Sequence, residues 1–175
     1  MTAQAPVSGP SEAIKIEAGA PGAPALVLTS ISADMADVLG RGFAAIDPWA
    51  RYPYPAAALS KYFANSEPHA PRYAVFSGGV LAGALGLHLN WLRGPYIQFL
   101  GLLPGHQRGG AGLRLLEWCE HEAHSSFARN LWVAASDFNA DAIRFYERFG
   151  FVRTAELDGL VRDDRNEVLF RKRLF

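Results

Sequence analysis

The chain has 175 residues, of which 50% are hydrophobic and 19% are charged, so it has the size and apolar content of one globular domain. Its 17 basic and 17 acidic residues give a formal net charge of zero, which provides no overall field to attract nucleic acid or anionic lipid. The single cysteine excludes an internal disulfide, and no apolar run approaches the roughly 20 residues that cross a bilayer, so we expect a cytoplasmic protein that binds neither nucleic acid nor a membrane.

The first 24 residues are rich in Ala, Pro and Gly and show no sustained periodicity. We interpret residues 1–24 as a mobile N-terminal tail, followed by a domain of residues 25–175. The first half of that domain predicts a strand, two helices and three further strands. Ser32 is a typical helix N-cap, and Gly78-Gly79 is a two-residue hairpin signal. The predicted elements are residues 25–31, 33–46, 56–64, 72–77, 80–90 and 96–103.

The second half alternates helices and strands. In the first predicted helix, apolar residues recur every four positions and form one core-facing stripe. Asn139 or Asp141 caps the next helix, and Gly150 ends it. The predicted helices and strands here are residues 111–128, 130–135, 139–149, 151–157 and 167–174. We therefore predict an α/β fold, a single-domain mixed sheet of about six to seven strands flanked by about four helices.

A strand, a glycine-rich turn and a helix follow one another between residues 96 and 128. Unpaired N–H groups at the start of such a helix converge on an anion, and glycines allow the backbone to approach it. A glycine cluster is also common in turns that bind nothing, so that alternative stays open. The segment is not Gly-x-Gly-x-x-Gly and lacks a Lys-Ser/Thr ending, which disfavours a dinucleotide or nucleoside triphosphate site.

Two motifs carry a family resemblance. Residues 107–112 read QRGGAG, with the spacing Gln-x-x-Gly-x-Gly, and follow an apolar strand and Pro104. Residues 139–151 read NADAIRFYERFGF and lie at the appropriate distance. With both motifs in this order, the chain resembles the GCN5-related N-acetyltransferases (GNAT), most strongly over residues 96–151. The resemblance implies a GNAT-like N-acetyltransferase domain that transfers an acetyl group from acetyl-CoA to a small-molecule or peptide amine, directly in a ternary complex.

The resemblance also implies a cofactor site. Two parallel strands would splay apart, and the pantetheine arm would contact backbone groups of Leu102 and Leu103 in the gap. The N–H of Leu102 would polarise the thioester carbonyl, and Gly101 would permit the strand bulge that frees this N–H. The residues implied to bind the pyrophosphate are Gln107, Arg108, Gly109, Gly110, Ala111 and Gly112.

Two residues of the second motif have implied roles in the same site. Asn139 would position the cofactor. Tyr146 would contact the cofactor and protonate the departing CoA thiolate, since a phenol with a pKa of about 10 keeps its proton at neutral pH. Three alternatives stay open: Asn139 is only an N-cap, Tyr146 is a packing residue, and Arg108 points into solvent.

The sequence does not identify the acceptor amine. The resemblance points to the turn between the first two helices and to the final strand pair. The aromatic and charged residues of that turn are equally typical of packing and surface positions. These residues are Asp47, Trp49, Arg51, Tyr52 and Tyr54.

The chain departs from the family pattern at the general base. Where relatives carry a glutamate, this sequence has Tyr96 and Ala134, neither of which is a carboxylate. We therefore expect water-assisted transfer, with Asp47 and His88 organising the water.

Other features favour no further chemistry. Glu117, His121 and His124 share one helix face at a spacing seen in metal sites, but no fourth ligand is evident and a solvated face is expected, with no metal. Cys119 lies on the core stripe and is a poor nucleophile. A non-catalytic acyl-CoA sensor, a structural module and a homodimer remain open alternatives.

Overall fold

The computed structural model describes residues 13–19 and 22–175. Its helices are α1 Ala33–Ala44, α2 Ala56–Ala64, α3 Ala111–Ser125 and α4 Ala140–Arg148, with a 3-10 turn at Trp49–Arg51. Its strands are β1 Ile14–Ile16, β2 Leu26–Ser30, β3 Arg72–Ser77, β4 Val80–Trp91, β5 Gly94–Leu102, β6 Asn130–Ser136, β7 Val152–Arg162 and β8 Arg165–Arg173.

All eight strands form one sheet in the order β1-β2-β3-β4-β5-β6-β8-β7. Every neighbouring pair is antiparallel except β5 and β6, which are parallel. The predicted mixed α/β fold with four helices is confirmed, and the sheet has one strand more than the predicted range.

The additional strand, β1, lies within the segment that the sequence analysis interprets as a mobile tail. Residues 1–12, 20 and 21 of that segment lie outside the described residues. Ile14 and Ile16 pair with Leu28 and Leu26 and pack against the core. A strand of three residues is too short for its apolar alternation to be distinguished from chance. The Ala, Pro and Gly content of residues 1–24 therefore indicates a tail, although the segment contains this strand.

Helices pack on both faces of the sheet. On one face, α3 and α4 cover a core that includes Leu115, Leu131 and Phe170. On the other face, α1 and α2 cover a smaller aromatic core in which Phe43 and Phe63 contact Phe99 of β5. Within the described residues, no helix combines the length and the apolar character needed to span a bilayer.

Two predicted boundaries differ from the structure by three residues or more. Helix α3 ends at Ser125 instead of residue 128, since Phe127 has a positive φ of 55° that no α-helix accommodates. The β7–β8 hairpin begins its turn later than predicted, because β7 continues to Arg162. Most of β7 is exposed on this outer edge, so its sequence carries no apolar alternation that would mark its length.

Candidate active site

The parallel strands β5 and β6 separate after a short paired segment. Their register joins Tyr96 to Trp132 and Ile97 to Val133, and no later residues of the two strands are paired. A cleft of about 450 Å³ opens between the diverging ends, bounded by residues 98–100 of β5 and 134–136 of β6. Residues from the α1–α2 segment, α4, β7 and β8 also line this cleft. The predicted splaying of the two strands is therefore present.

Strand β5 directs the backbone of Leu102 away from β4. The N–H of Leu103 donates to the carbonyl of Ala82 at 2.8 Å, and consecutive residues of an antiparallel strand face opposite neighbours. The backbone of Leu102 consequently faces the side of β6, and its carbonyl accepts a bond from Gln107 Nε2 at 2.9 Å. The Leu103 carbonyl accepts from His106 N–H, so both backbone groups of Leu103 are engaged within the chain.

The structure has no bulge at Gly101, so that expectation is wrong. Register is continuous there, with Gly101 opposite Ala84 and Leu102 opposite Gly83. The two register shifts fall instead at the Gly86/Leu87 and His88/Trp91 steps of the partner strand β4. Gly101 is required by packing. A Cβ at this position would lie 2.6 Å from the ring of Phe43 and 2.7 Å from that of Trp49.

The glycine-rich turn leads directly into α3. Gly110 is the N-cap, with φ of 78°, and no side chain caps the helix. The first regular helical bond is from Arg114 N–H to the carbonyl of Gly110, so the N–H groups at the preceding positions of the first turn point outward without a helical acceptor. A Cβ added at Gly109 or Gly110 would meet nothing within 4 Å, so the surface above these N–H groups is open.

The helix start lies against the end of β5 and against α4. A Cβ on Gly112 would approach the Phe145 ring to 3.3 Å and the Leu102 side chain to 3.9 Å. Arg108 is exposed and has a φ of 64°, which places it on the outer surface of the turn. The start of α3 therefore lies beside Leu102 of β5 and Phe145 of α4.

Helix α4 contributes the two predicted residues of the second motif. Asn139 caps the helix, because its Oδ1 accepts from Ala142 N–H at 3.2 Å, and it also lines the cleft. Tyr146 is 6% exposed and packs against Phe151 and Phe170 while lining the same cleft. Asn139 is therefore both a helix N-cap and a cleft residue. Tyr146 is both a packing residue and a cleft residue.

The phenol of Tyr146 keeps its proton. Burial raises its pKa above the ordinary value, and the neighbouring Tyr96 and Cys119 add to that effect. Its hydroxyl makes no hydrogen bond to another described residue. The arrangement places a neutral O–H donor in the cleft wall.

A polar cluster that the sequence analysis did not identify lies at the other side of the cleft. The Tyr52 hydroxyl contacts Ser136 Oγ and donates to Glu167 Oε1. Glu167 of β8 lies opposite Ser136 of β6 in the sheet register and is 8% exposed. Burial raises the pKa of its carboxyl above the ordinary value, although hydrogen bonds from Tyr52 and Ser136 oppose the change.

The candidate acceptor residues divide into two groups. Trp49, Tyr52 and Tyr54 line the cleft. Asp47 and Arg51 are exposed and form an ion pair at 2.7 Å outside the cleft lining. His88 also lies outside that lining, so the structure does not bring the two expected water-organising residues to the cleft.

The remaining nucleophile and metal candidates lie elsewhere. Cys119 is fully buried on α3, and burial raises the pKa of its thiol. Within residues 13–19 and 22–175, no group of three or more His, Cys, Asp or Glu side chains is gathered to hold a metal.

Comparison with known proteins identifies a family. The sequence profile of the acetyltransferase (GNAT) family matches residues 34–151, more than half of the chain. No curated protein sequence matches it.

Solved structures with the same fold include the following three. An acetyltransferase from Thermus thermophilus has 20% identity and a TM-score of 0.68, covering 85% of this chain and 97% of that chain. Ard1 from Thermoplasma volcanium has 18% identity and a TM-score of 0.68, covering 86% and 98%. A GNAT family acetyltransferase from Elizabethkingia anophelis, with acetyl-CoA bound, has 15% identity and a TM-score of 0.63, covering 93% and 97%. At these identities the structures establish the fold.

Proposed function

Because the chain belongs to the GNAT family of acetyltransferases, we propose that it transfers an acetyl group from acetyl-CoA directly to a primary amine. One observation carries the proposal: the uncapped first turn of α3 adjoins the end of β5, where β5 and β6 have separated into a cleft. A helix start binds an anion and an open strand edge binds an extended amide chain. These are the two parts of coenzyme A that a protein must recognise.

The residues present fit acetyl-CoA. Backbone N–H groups of residues 109–113 and the side chain of Gln107 would surround the pyrophosphate, with Arg108 on the same turn. The open space above Gly109 and Gly110 admits the phosphates without displacing a side chain. When bound, acetyl-CoA supplies an activated acetyl thioester. Asn139 would position the cofactor from the start of α4.

Leu102 is the proposed donor to the thioester carbonyl. Its N–H faces the gap between β5 and β6, whereas that of Leu103 is already bonded to Ala82. A fixed N–H donor stabilises the negative charge that develops on a carbonyl oxygen during attack by an amine. The predicted backbone contact of Leu103 with the pantetheine arm lacks free groups, because its N–H and carbonyl are bonded within the chain and its side chain packs beside α1 and α2.

Tyr146 is the proposed general acid. Its raised pKa means that the phenol is protonated throughout the working pH range, so it can donate to a thiolate that leaves in the cleft. The hydroxyl has no competing hydrogen bond within the described residues. The packing of its ring against Phe151 and Phe170 fixes the direction in which the O–H points.

Calorimetric titration with coenzyme A, combined with thiol release from acetyl-CoA in the presence of a panel of amines, tests the proposal. Binding together with amine-dependent thiol release and a mass gain of one acetyl group on the amine supports it. Binding without any release indicates a non-catalytic acyl-CoA sensor. A folded protein that does not bind coenzyme A overturns the proposed site.

A further inference from the structure

The cleft has one formally charged residue in its described lining, and that residue is Glu167. Its carboxylate is 8% exposed and is contacted by a neutral donor, the hydroxyl of Tyr52. The other titratable groups around it are Tyr96 of β5 and Asp137 after β6, and neither supplies a positive charge. A buried carboxylate without a cationic partner is costly to ionise, so a cation that enters the cleft would be bound strongly.

Apart from Ser136, Gln98 and Asn139, the cleft walls around Glu167 are apolar or aromatic. They include Trp49, Tyr52 and Tyr54 from the α1–α2 segment and Leu160 and Val161 from β7. No arginine belongs to the described lining: Arg51 pairs with Asp47, Arg162 pairs with Asp164, and Arg165 lies over the ring of Phe138. The described lining therefore offers an anionic partner for an ammonium group and no cationic partner for a carboxylate attached beside it.

Tyr146 and Glu167 approach the cleft from different elements. Tyr146 lies on α4, whereas Glu167 lies on β8 beside the α1–α2 segment. Both side chains line the same cleft, and Tyr96 of β5 belongs to the same lining. A proton donor and a proton acceptor are thus available in one cavity.

We propose that Glu167 binds the ammonium group of the acceptor and takes its proton, and that the acceptor is a primary amine on an apolar or aromatic stem with no carboxylate next to the nitrogen. This inference rests on the proposed acetyl transfer. It assigns to the last strand a carboxylate base that the sequence motifs did not indicate.

The proton and bond balance is complete. The ammonium gives one proton to Glu167, which passes it to water. The free amine nitrogen then forms the bond to the acetyl carbon while the bond from that carbon to sulfur breaks. The sulfur takes the Tyr146 proton, the second nitrogen proton goes to water, and water reprotonates Tyr146. One amide, one thiol and one released proton result.

Binding without chemistry provides the first test. With coenzyme A present, and no acetyl group to transfer, calorimetry is performed with 2-phenylethylamine, with its uncharged analogue 2-phenylethanol and with phenylalanine. We expect the amine to bind at least ~10-fold more tightly than either analogue, which is the scale of one charged hydrogen bond. Equal binding of the amine and the alcohol by the wild-type protein would overturn the proposal without the use of any variant.

Glu167→Gln provides the second test, with Glu117→Gln on the exposed face of α3 as the matched control. We expect Glu167→Gln to retain coenzyme A affinity, to bind 2-phenylethylamine at least ~10-fold more weakly and to lower kcat/KM by about 10² or more. The fall of kcat/KM at low pH should also be absent in Glu167→Gln.

Two outcomes would contradict the proposals. An active wild-type enzyme whose Glu167→Gln variant has the same amine affinity and pH profile overturns the role of Glu167 and leaves acetyl transfer intact. Absence of coenzyme A binding in the wild-type protein would instead refute the proposed function.

Discussion

The hydroxyl of Tyr52 donates to the carboxylate of Glu167, although 115 positions separate the two residues in the sequence. The contact joins the segment between α1 and α2 to the last strand of the sheet and closes one side of the cleft. The hydrogen bond favours the ionised carboxylate, and burial favours the protonated form. Tyr52 is therefore placed to adjust the pH at which Glu167 accepts a proton.

Replacement of Tyr52 by Phe removes this donor and should raise the pKa of Glu167 further. The acid limb of kcat/KM for an amine should then move to higher pH, and kcat/KM on that limb should fall about fivefold, the equivalent of a ~1 kcal/mol hydrogen bond. Tyr54→Phe is the matched control, since Tyr54 lines the cleft but forms no hydrogen bond with Glu167. Identical pH profiles for the two variants would show that the Tyr52 contact does not tune the carboxyl.

Coenzyme A or acetyl-CoA should stabilise the fold. A ligand at 100 times its dissociation constant adds about 2.7 kcal/mol when it binds only the native state. For a domain of this size the melting temperature should rise by about 5 to 10 °C. Differential scanning fluorimetry measures this shift, and a melting temperature that does not change with millimolar cofactor would contradict the proposed site.

Gly110→Val should abolish most coenzyme A affinity, because a branched side chain would cover the N–H groups at the start of α3. The position also has a φ of 78°, so backbone strain must be separated from loss of the site. Gly79→Val is the control, since Gly79 has a φ of 80° in the β3–β4 turn and an equally open environment. We expect similar destabilisation in both variants and at least ~100-fold weaker binding in Gly110→Val alone, measured by calorimetry.

Tyr146→Phe should leave the fold and coenzyme A affinity unchanged, because the ring contacts with Phe151 and Phe170 are preserved. The chemical step should slow by about 10² or more after loss of the general acid. Single-turnover kinetics isolate that step from product release. Tyr73→Phe is the control, since Tyr73 is a buried tyrosine outside the cleft that packs against Trp118. Equal single-turnover rates in the two variants would reduce Tyr146 to a packing residue.

Local signals predicted most of the fold. Ser32 caps α1, Gly78 and Gly79 form the β3–β4 turn, and Asn139 caps α4, as their sequence neighbourhoods indicated. Each of these features depends on contacts within a few residues. Ile14–Ile16 depends on pairing with β2, and its three residues carry too little pattern to reveal that partner.

The proposed cofactor side of the cleft could be located from the sequence for the same reason, since residues 107–112 and 139–151 form two compact motifs. The acceptor side could not. Glu167 precedes an apolar run in β8, where alternation places it on the face opposite the core residues Val168 and Phe170. That signal marks the face, but only the tertiary contact with Tyr52 shows that the carboxylate is buried in the cleft. Water-assisted transfer without a carboxylate base stays a prediction, which the Glu167→Gln pH profile tests.

The stability of the folded chain should depend on pH through Glu167. Its pKa in the folded protein lies above the ordinary value of 4.5, with burial as the largest cause, so the folded state binds the proton more tightly than the unfolded state. The stabilisation that this proton gives is complete below the unfolded pKa and is lost as the pH rises through the folded pKa.

Glu167→Gln imitates the protonated carboxyl at every pH. The melting temperature of this variant, relative to the wild-type protein, should therefore be lowest near pH 4 and increase by a few degrees toward pH 8. Glu117→Gln should show no such trend, and a Glu167→Gln difference that is constant or reversed would mean that the hydrogen bonds to the ionised carboxylate outweigh its burial.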